Sequence, residues 1–240
     1  MGTQSRKQRE LAAREDHLLE LAFGLIREQG LVALQMSQVA QAGEVAIGTL
    51  YSHFSSKEDL LLALSMRSAA LRLRNIERAV RWEEPPRLRM LAMAMADWLF
   101  LDENPHYAQI DQYALTEVVW ERSSEARRDQ FVRSREPIGQ LIFGVVREAR
   151  ARGELPTQGF SVEETPFGFW TMLVGTHQLT HAKGLLEHFA ITEPYQLMVR
   201  HLNVWLNGLQ WQPLMAPDDA AQMDRLCSRL KTEVFALGCP

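Results

Sequence analysis

Apolar residues recur at helical spacing along nearly the whole chain, and no stretch alternates apolar and polar residues as a half-buried strand would. A first helix carries the stripe Leu18, Ala22, Leu25 and Ile26. It should end near Gly30, because glycine is a common stop signal at helix C-termini. The pattern therefore predicts a chain built of helices.

Two very short helices should follow the first. Met36, Val39 and Ala40 predict one that stops near Gly43. The next covers residues 45–54. Its large apolar anchors are Val45, Leu50 and Phe54. A helix with so few anchors buries little of its own surface, which indicates that its other face contacts something else.

Caps and breaks divide the rest of the chain. Ser56 is placed to cap a helix that begins at Lys57 and continues to about Trp82. Proline-containing breaks at 83–86 and 104–105 separate the helices that follow. These helices should cover residues 87–101, 106–120 and 124–153.

The C-terminal part carries further start signals. Pro137 should kink or split the helix before it ends at residue 153. Ser161 and Glu164 match a capping box, Pro194 opens a helix, and Asp218 can cap the last one. The helices predicted here cover residues 167–186, 195–209 and the segment from Asp218 to about Ala236. The predicted fold is all-α, with nine or ten helices in a small N-terminal bundle and a larger C-terminal one.

Composition is that of an ordinary folded protein, with 46% hydrophobic and 23% charged residues among 240. No uncharged apolar run approaches the roughly 18 residues of a membrane span, and the charged N-terminus lacks an export signal. Cys227 and Cys239 have no partner motif. We therefore expect a cytoplasmic protein without a disulfide framework.

Charge is distributed unevenly over the first 60 residues. The segment 1–14 holds Arg6, Lys7, Arg9 and Arg14 against one glutamate, a local charge of +3, whereas residues 1–60 together carry −2. Net charge by itself therefore does not indicate nucleic-acid binding. A DNA-binding surface would need its positive charge placed locally, for which a flexible basic arm over 1–14 is suited.

The two short helices form a helix-turn-helix pattern within about 20 residues. The second helix of such a pair enters a DNA major groove about 12 Å wide and reads base edges with its first residues. Its groove face must be small or polar, and Ala46, Ile47, Gly48 and Thr49 meet that need. The predicted partner of this thin helix is therefore double-stranded DNA.

The segment SQVAQAGEVAIGTLYSHFSSKEDLL resembles the DNA-binding signature of the TetR family of transcriptional repressors. The residues that carry the resemblance are Gly-Thr-Leu-Tyr, the His-Phe pair, and Ser-Lys-Glu followed by leucines. The close match covers roughly residues 15–62. The remainder is similar only in the number and layout of its helices.

The resemblance implies DNA contacts at matching positions. Gln35 stands where the family often has a threonine cap, and Ser37 faces the backbone. Tyr51 and His53 would touch phosphates or flanking bases, and Lys57 would bind a phosphate. The full set of implied DNA-binding residues is Gln35, Ser37, Ala46, Ile47, Gly48, Thr49, Tyr51, His53 and Lys57.

Two residues depart from the family pattern. Glu44 occupies a turn position that is usually glycine, where a positive φ would cost on the order of 1 kcal/mol. Ala46 replaces the usual Ser or Thr cap, and this loss could weaken the helix start by roughly 1 kcal/mol. Because Ile47 cannot hydrogen-bond, part of the readout should come from thymine methyl groups and DNA shape.

The resemblance also implies a second domain for ligand binding and dimerisation over 63–240, after a helix-turn-helix domain over 15–62. A dimer reads two half-sites about 34–36 Å apart and needs an apolar helical face. The candidate interface residues are Gly168, Gly175, Leu202, Leu206 and Leu209. The alternative is that these residues belong to an internal core.

The middle helices are rich in methionine and aromatic residues, which suit an adaptable apolar pocket but also an ordinary core. The resemblance implies a pocket here for a small, largely apolar effector. The candidate pocket residues are Met95, Trp98, Trp120, Phe143, Trp170, Val174 and His177.

Two other classes of function remain open. His177 and His181 lie four residues apart, a spacing that could bind a metal in a helical-bundle enzyme, although the His-Glu-x-x-His pattern is absent. The other class is a partner-binding adaptor that has lost DNA contact through Glu44 and Ala46. Against these, we expect a non-enzymatic regulator without cofactor or metal, most simply a repressor that an effector releases from its operator.

Overall fold

The structure is a computed structural model and describes residues 2–182 and 184–235. Within this part of the chain it contains thirteen α-helices, one π-helical turn and no strand, which confirms the predicted all-α class. The helices are α1 (Gly2–Gln29), α2 (Met36–Ala42), α3 (Ile47–His53), α4 (Lys57–Val80), α5 (Pro86–Glu103), α6 (Pro105–Ala114), α7 (Glu117–Arg122), α8 (Glu125–Arg133), α9 (Glu136–Ala151), α10 (Phe167–Thr180), α11 (Leu185–His188), α12 (Pro194–Gly208) and α13 (Ala220–Arg229), and the π-helical turn is Leu230–Val234. The predicted helix end near Ala236, and Cys239, lie outside the described residues.

Ser56 caps its helix as predicted, whereas Ser161 and Glu164 close a turn ahead of α10, whose N-cap is Pro166. The Ser56 hydroxyl accepts the Asp59 N–H at 3.0 Å at the start of α4. Ser161 and Glu164 exchange two hydrogen bonds, at 2.8 and 3.0 Å, as a capping box does. The helical region around Pro137 is split into α8 and α9, and the proline lies in the first turn of α9, where its missing N–H costs little.

Other boundaries differ from the prediction. The helix expected over 106–120 is interrupted at Leu115 and Thr116, and the one expected over 167–186 ends at residue 180. The short α11 begins after Gly184, whose φ of 83° no other residue adopts readily. Asp219, not Asp218, caps α13. These breaks depend on local backbone geometry that apolar periodicity does not encode.

The N-terminal segment predicted as a flexible basic arm is part of α1, which begins at Gly2. Residues 6–14 are mostly strong helix formers, and Arg6 and Glu10 form an ion pair at 2.8 Å one turn apart. The arm's exposed cations, Arg6, Lys7, Arg9 and Arg14, therefore lie along a helix.

Contacts divide the chain into two compact units. The first holds Met1–Ala69 and Asn104–Arg135, and the second holds Ala70–Glu103 and Glu136–Pro240. This grouping differs from the predicted spans, because α6, α7 and α8 belong with the helix-turn-helix. The contacts that place them there join residues far apart in sequence, which no local pattern reveals.

In the first unit, α1 packs on α2 and α2 packs on α3. Leu18, Ala22 and Ile26 of the predicted stripe are fully buried. A separate apolar cluster joins α4 to α6, α7 and α8 through Leu62, Ala114, Val119 and Phe131. Helices α6–α8 thus contribute side chains to the core of this unit.

In the second unit, α5 packs against α9, α10 and α12. Every side chain from Met90 to Ala96 is at most 2% exposed. A helix that is apolar on all sides belongs at the centre of a bundle. Alanine and methionine alternate along this part of α5. The alanines allow neighbouring helices to approach closely, and the flexible methionines fill the remaining space.

Arg87 fixes one end of α5 from inside the second unit. Its guanidinium is fully buried and donates to the carbonyl of Trp211 at 2.6 Å and to the side-chain oxygens of Asn203 and Asn207 at 2.5 and 2.8 Å. Burial lowers the pKa of Arg87 to about 10. The acceptors form a cage of neutral oxygens that joins α5 to α12 and to the loop after it.

None of the helices described above combines the length and the hydropathy that crossing a bilayer would need.

Gly168 and Gly175, two predicted interface residues on α10, have different surroundings. A Cβ on Gly168 would lie 2.8 Å from the indole ring of Trp205 on α12, whereas a Cβ on Gly175 would meet no atom within 4 Å. Gly168 therefore permits close packing of α10 on α12 within one protomer.

We predict that Gly168→Ala lowers the free energy of unfolding by about 1–3 kcal/mol, because the added methyl group must displace a rigid ring. Urea denaturation measures the effect. Gly175→Ala on the same helix is the matched control and should stabilise the protein by up to ~1 kcal/mol through helix propensity. Equal effects of the two substitutions would contradict this account of Gly168.

Candidate nucleic-acid interface

The turn between α2 and α3 is shaped by two adjacent residues. A Cβ on Gly43 would lie 2.8 Å from Leu18 Cδ2, so a larger residue here would require the buried Leu18 side chain of α1 to shift. Glu44 then adopts φ 51°, the left-handed conformation expected from the sequence. The Val45 N–H donates to the Ala40 carbonyl at 3.0 Å, and the turn is closed despite the departure from glycine.

Helix α3 has two distinct faces, as the sequence predicts. Leu50 and Phe54 are fully buried, whereas Ile47 and Tyr51 are 46% and 48% exposed. A Cβ on Gly48 would meet no atom within 4 Å, so this face is open. Large exposed apolar and aromatic groups on so short a helix indicate a surface for a partner.

The remaining predicted contacts of the turn region are also exposed or half-buried. Ala46 is the N-cap of α3 and makes no side-chain cap bond, as expected from its methyl group. Thr49 and His53 are half-buried, and Ser37 is exposed in the first turn of α2. The structure thus brings the predicted DNA-contacting residues together on α2, the turn and α3.

Gln35 is the N-cap of α2, but Gln38 makes the capping bond. The Gln38 side-chain oxygen accepts the Gln35 N–H at 3.0 Å. The Gln38 side chain also exchanges hydrogen bonds with Gln29 of α1, at 3.0 and 3.1 Å. Sequence reasoning missed Gln38, although a glutamine three residues after the N-cap is the pattern of a capping box.

Lys57 is engaged within the first unit. Its ammonium donates to the carbonyls of Val32 and Leu34, at 3.1 and 2.8 Å, and so holds the loop between α1 and α2. Burial lowers the pKa of Lys57, and the nearby Glu58 opposes that effect. Since an ammonium has three N–H donors, one remains for the implied phosphate contact, which stays a prediction.

The joint between α3 and α4 is held by a carboxylate that sequence reasoning missed. Asp59 is 3% exposed and accepts hydrogen bonds from the Ser55 N–H and hydroxyl, at 3.1 and 2.5 Å. It also accepts from the Ser124 N–H and hydroxyl, at 2.7 and 3.0 Å. Because Ser124 is 65 residues away in sequence, no spacing pattern could have indicated this pair.

The predicted pocket residues differ in burial and are divided between the two units. Met95 and His177 are buried and Trp98 and Phe143 are half-buried, but Trp170 and Val174 are exposed. Trp120 lies in the first unit, whereas the others lie in the second. The helical pattern could not show this division, because α6 and α7 follow α5 directly in sequence.

Tyr195, which sequence reasoning missed, connects two of the pocket candidates. Its ring stacks on Trp98 with centroids 5.1 Å apart, and its hydroxyl lies 2.5 Å from His177 Nδ1. Burial raises the pKa of Tyr195. His181 Nδ1 lies 3.1 Å from the His177 carbonyl. Trp98, Tyr195 and His177 thus form an aromatic cluster that also carries polar atoms.

Two surface clefts of about 500 and about 570 Å³ lie beside the loop between α4 and α5. Both are lined by Arg81, Trp82, Glu83 and Glu84. Neither includes a predicted pocket residue, and both are rich in charged side chains.

The predicted dimer residues on α12 lie inside their own protomer. Leu202 and Leu206 are fully buried and Leu209 is 8% exposed, which matches the alternative of an internal core. Their stripe faces α5 and α10, because α12 packs against both of these helices. An interface on α10 or α12 must therefore use other faces of these helices.

The exposed short helix α3, carried by a closed turn on α2, defines the chain as a helix-turn-helix protein. Residues 18–64 match the family of bacterial regulatory proteins called the tetR family. The segment that carries the helix-turn-helix is therefore similar to the corresponding part of tetR-family regulators.

Solved structures show a similar fold over most of the chain. RolR in complex with resorcinol matches with a TM-score of 0.63 at 13% identity, over 92% of this chain and 96% of that one. A tetR-family regulator from Rhodococcus RHA1 matches with a TM-score of 0.58 at 18% identity, over 83% of this chain and 96% of that one. FadR from Bacillus subtilis in complex with stearoyl-CoA matches with a TM-score of 0.56 at 18% identity, over 76% of this chain and 96% of that one. No curated protein sequence matches the chain.

We predict that Asp59→Asn lowers the free energy of unfolding by about 2 kcal/mol at pH 7, because a charged acceptor of several hydrogen bonds is lost. Burial raises the pKa of Asp59, but the hydrogen bonds from Ser55 and Ser124 outweigh it and hold the pKa below its ordinary value of 3.8. A lowered carboxyl pKa stabilises the fold above the unfolded-state value. The difference from wild type should therefore shrink as the pH falls from about 3.8 through the folded-state pKa.

Urea denaturation across this pH range measures the difference. Asp129→Asn is the matched control for net charge, because Asp129 is an exposed residue of α8 whose contact with Arg133 is 3.9 Å long. Surface pairs of this kind contribute little, so this variant should remain close to wild type. A deficit of Asp59→Asn that persists undiminished in acid would contradict the role given to the carboxylate.

Proposed function

We propose that the chain is a ligand-responsive repressor that binds operator DNA as a homodimer, with α3 in the major groove. The observation that carries the proposal is the two-faced α3, which exposes Ile47, Gly48 and Tyr51 opposite the buried Leu50 and Phe54. A face that is slim at its first residues and anchored on the other side suits insertion into a groove.

Separate parts of the surface supply the readout and the phosphate contacts. Ile47 and Thr49 contact base edges, whereas Tyr51, His53 and Lys57 position the helix on the backbone. The first unit carries a slight net negative charge. The exposed cations of α1, from Arg6 to Arg14, therefore supply phosphate contacts beside the groove.

The dimer forms through exposed apolar residues of the late helices. Phe167, Trp170 and Val174 follow one another by three and four positions on α10 and are 60%, 55% and 37% exposed. Such spacing places them on one face of the helix. Val204 on α12 is 50% exposed. Exposed apolar stripes mark interaction sites, so this face takes the role first predicted for Leu202, Leu206 and Leu209.

The effector is a small, largely apolar molecule that binds in the second unit beside Trp98, Tyr195 and His177. Methionines such as Met95 can repack to admit it, and the tyrosine and histidine offer polar contacts at one end. RolR was solved with resorcinol and FadR with stearoyl-CoA, so proteins of similar fold hold small-molecule ligands. The effector acts by binding one arrangement of the second unit more tightly than another.

Two observations favour this function over its rivals. In the part of the chain that the structure describes, no three His, Cys, Asp or Glu side chains lie together as metal ligands would. His177 and His181 instead lie within hydrogen-bonding distance of protein oxygens. The adaptor hypothesis rested on Glu44 and Ala46, yet the turn closes and α3 keeps its exposed face.

We predict that the protein selects a specific duplex from random sequences and binds it with a steep dependence on salt, because phosphate contacts release counterions. Tyr51→Ala should weaken binding to all duplexes alike, whereas Thr49→Val should change the preference among sequences by about tenfold at one position. Fluorescence anisotropy titrations measure both. Repeating them with resorcinol and with stearoyl-CoA tests the response to apolar effectors.

Gln210→Ala is a control in the second unit, far in sequence from the helix-turn-helix, and should leave these titrations unchanged. Failure of the wild-type protein to bind any duplex in dilute buffer would overturn the proposed function. Equal losses on every sequence for both α3 variants would overturn the roles of Thr49 and Tyr51. One bound metal ion per chain in the purified protein would favour the metal-protein alternative.

We predict that Trp170→Asp converts the dimer to a monomer, because a charge buried in an apolar interface is strongly unfavourable. Analytical ultracentrifugation measures the change, and affinity for a duplex with two half-sites should fall with it. Leu214→Asp, at a residue 55% exposed in the loop after α12, is the matched control and should remain dimeric. A Trp170→Asp protein that stays dimeric would exclude this face as the interface.

A further inference from the structure

Arg127 of α8 reaches the C-terminal end of α3 within the first unit. One guanidinium nitrogen donates to the carbonyl of His53 at 3.2 Å, and another pairs with Glu15 of α1 at 3.0 Å. The guanidinium also lies over the Phe54 ring, 5.4 Å from its centroid. The Arg127 side chain is only 10% exposed, so one residue contacts both α1 and the end of α3.

These contacts act on the C-terminal end of α3. The last carbonyls of a helix have no partner within it, and a cation near them is favourable. His53 is the last residue of α3, and the neighbouring Phe54 is its buried anchor. Arg127 therefore holds both the end of the helix and the side chain that fixes its rotation.

The position of Arg127 is itself determined by the α3–α4 joint. Ser124, the N-cap of α8, donates its N–H and hydroxyl to Asp59, and the Ser124 hydroxyl accepts the Arg127 N–H at 3.2 Å. The first turn of α8 is thus bound to α4 through Asp59 and to α3 through Arg127. Because α8 is attached at two points, both its distance from α3 and its orientation relative to α3 are fixed.

We infer that Arg127 is a positioning residue for operator recognition, and that α8 helps to orient the helix that contacts DNA. This inference rests on the proposed DNA-binding function. Contacts to base edges depend on the exact tilt of α3, whereas phosphate contacts tolerate small shifts and carry no sequence information. Loss of Arg127 should therefore reduce sequence discrimination more than general affinity for DNA.

The test uses a duplex selected by the wild-type protein and a scrambled duplex of the same length. Arg127→Ala should weaken binding to the selected duplex about tenfold, the size expected for losing charge-assisted hydrogen bonds. Binding to the scrambled duplex should change by less than about twofold, and the slope with log salt should stay the same, because Arg127 touches no phosphate. Arg127→Lys should give partial rescue, since lysine keeps the charge but not the fork of donors.

Arg133→Ala is the matched control, because Arg133 lies on the same helix with its side chain 67% exposed. It should bind both duplexes as the wild type does. Hydrogen exchange separates positioning from general stability. In Arg127→Ala the amides of α3 should exchange faster than in wild type, while those of α1 at Leu18–Ile26 stay protected.

Three results would overturn the inference. One is unchanged discrimination between the duplexes in Arg127→Ala. Another is an equal loss on both duplexes with a salt slope reduced by about one, which would make Arg127 a phosphate contact. The third is faster exchange throughout α1 and α3 together, which would make it a general stabiliser. If the wild type selects no duplex at all, the proposed function fails and this inference fails with it.

Discussion

The seven residues of α3 are too few to hold a helix in water, and this limit governs the structure around it. Its position depends on burying two side chains, Leu50 and Phe54, because the opposite face is exposed. Contacts of neighbouring residues add to the limited apolar contact that these two side chains make. Gly43 lets α1 come close, Lys57 holds the α1–α2 loop, and Asp59 holds the joint to α4. A short helix with one exposed face is therefore stabilised by contacts at its ends and in the segments that flank it.

The helix-turn-helix could be predicted from sequence because its determinants are local. The apolar anchors of α3, the positive φ of Glu44 and the cap at Ser56 all depend on residues within a few positions of one another. The grouping of α6–α8 with this domain could not be predicted. It rests on Asp59 with Ser124 and on the cluster around Phe131, which join residues some 65 positions apart.

In the second unit, helical spacing alone could not distinguish core residues from exposed ones. Leucines on α12 and aromatic residues on α10 have the same helical spacing whether they face a core or a partner. Spacing assigns residues to a face of a helix but does not say which face is covered. Packing decides it: α12 turns Leu202 and Leu206 inward, while α10 leaves Trp170 at the surface. Trp120 differs from the other pocket candidates for another reason, because its helix α7 belongs to the first unit.

The cage around Arg87 has a consequence for how the chain is made. Its acceptors lie more than 100 residues downstream, the last of them the carbonyl of Trp211. A buried guanidinium without acceptors is strongly unfavourable, so α5 cannot settle into its final place while the ribosome is still adding the middle helices. The first unit has all of its residues by position 135. The first unit can thus fold on the nascent chain before the second unit is complete.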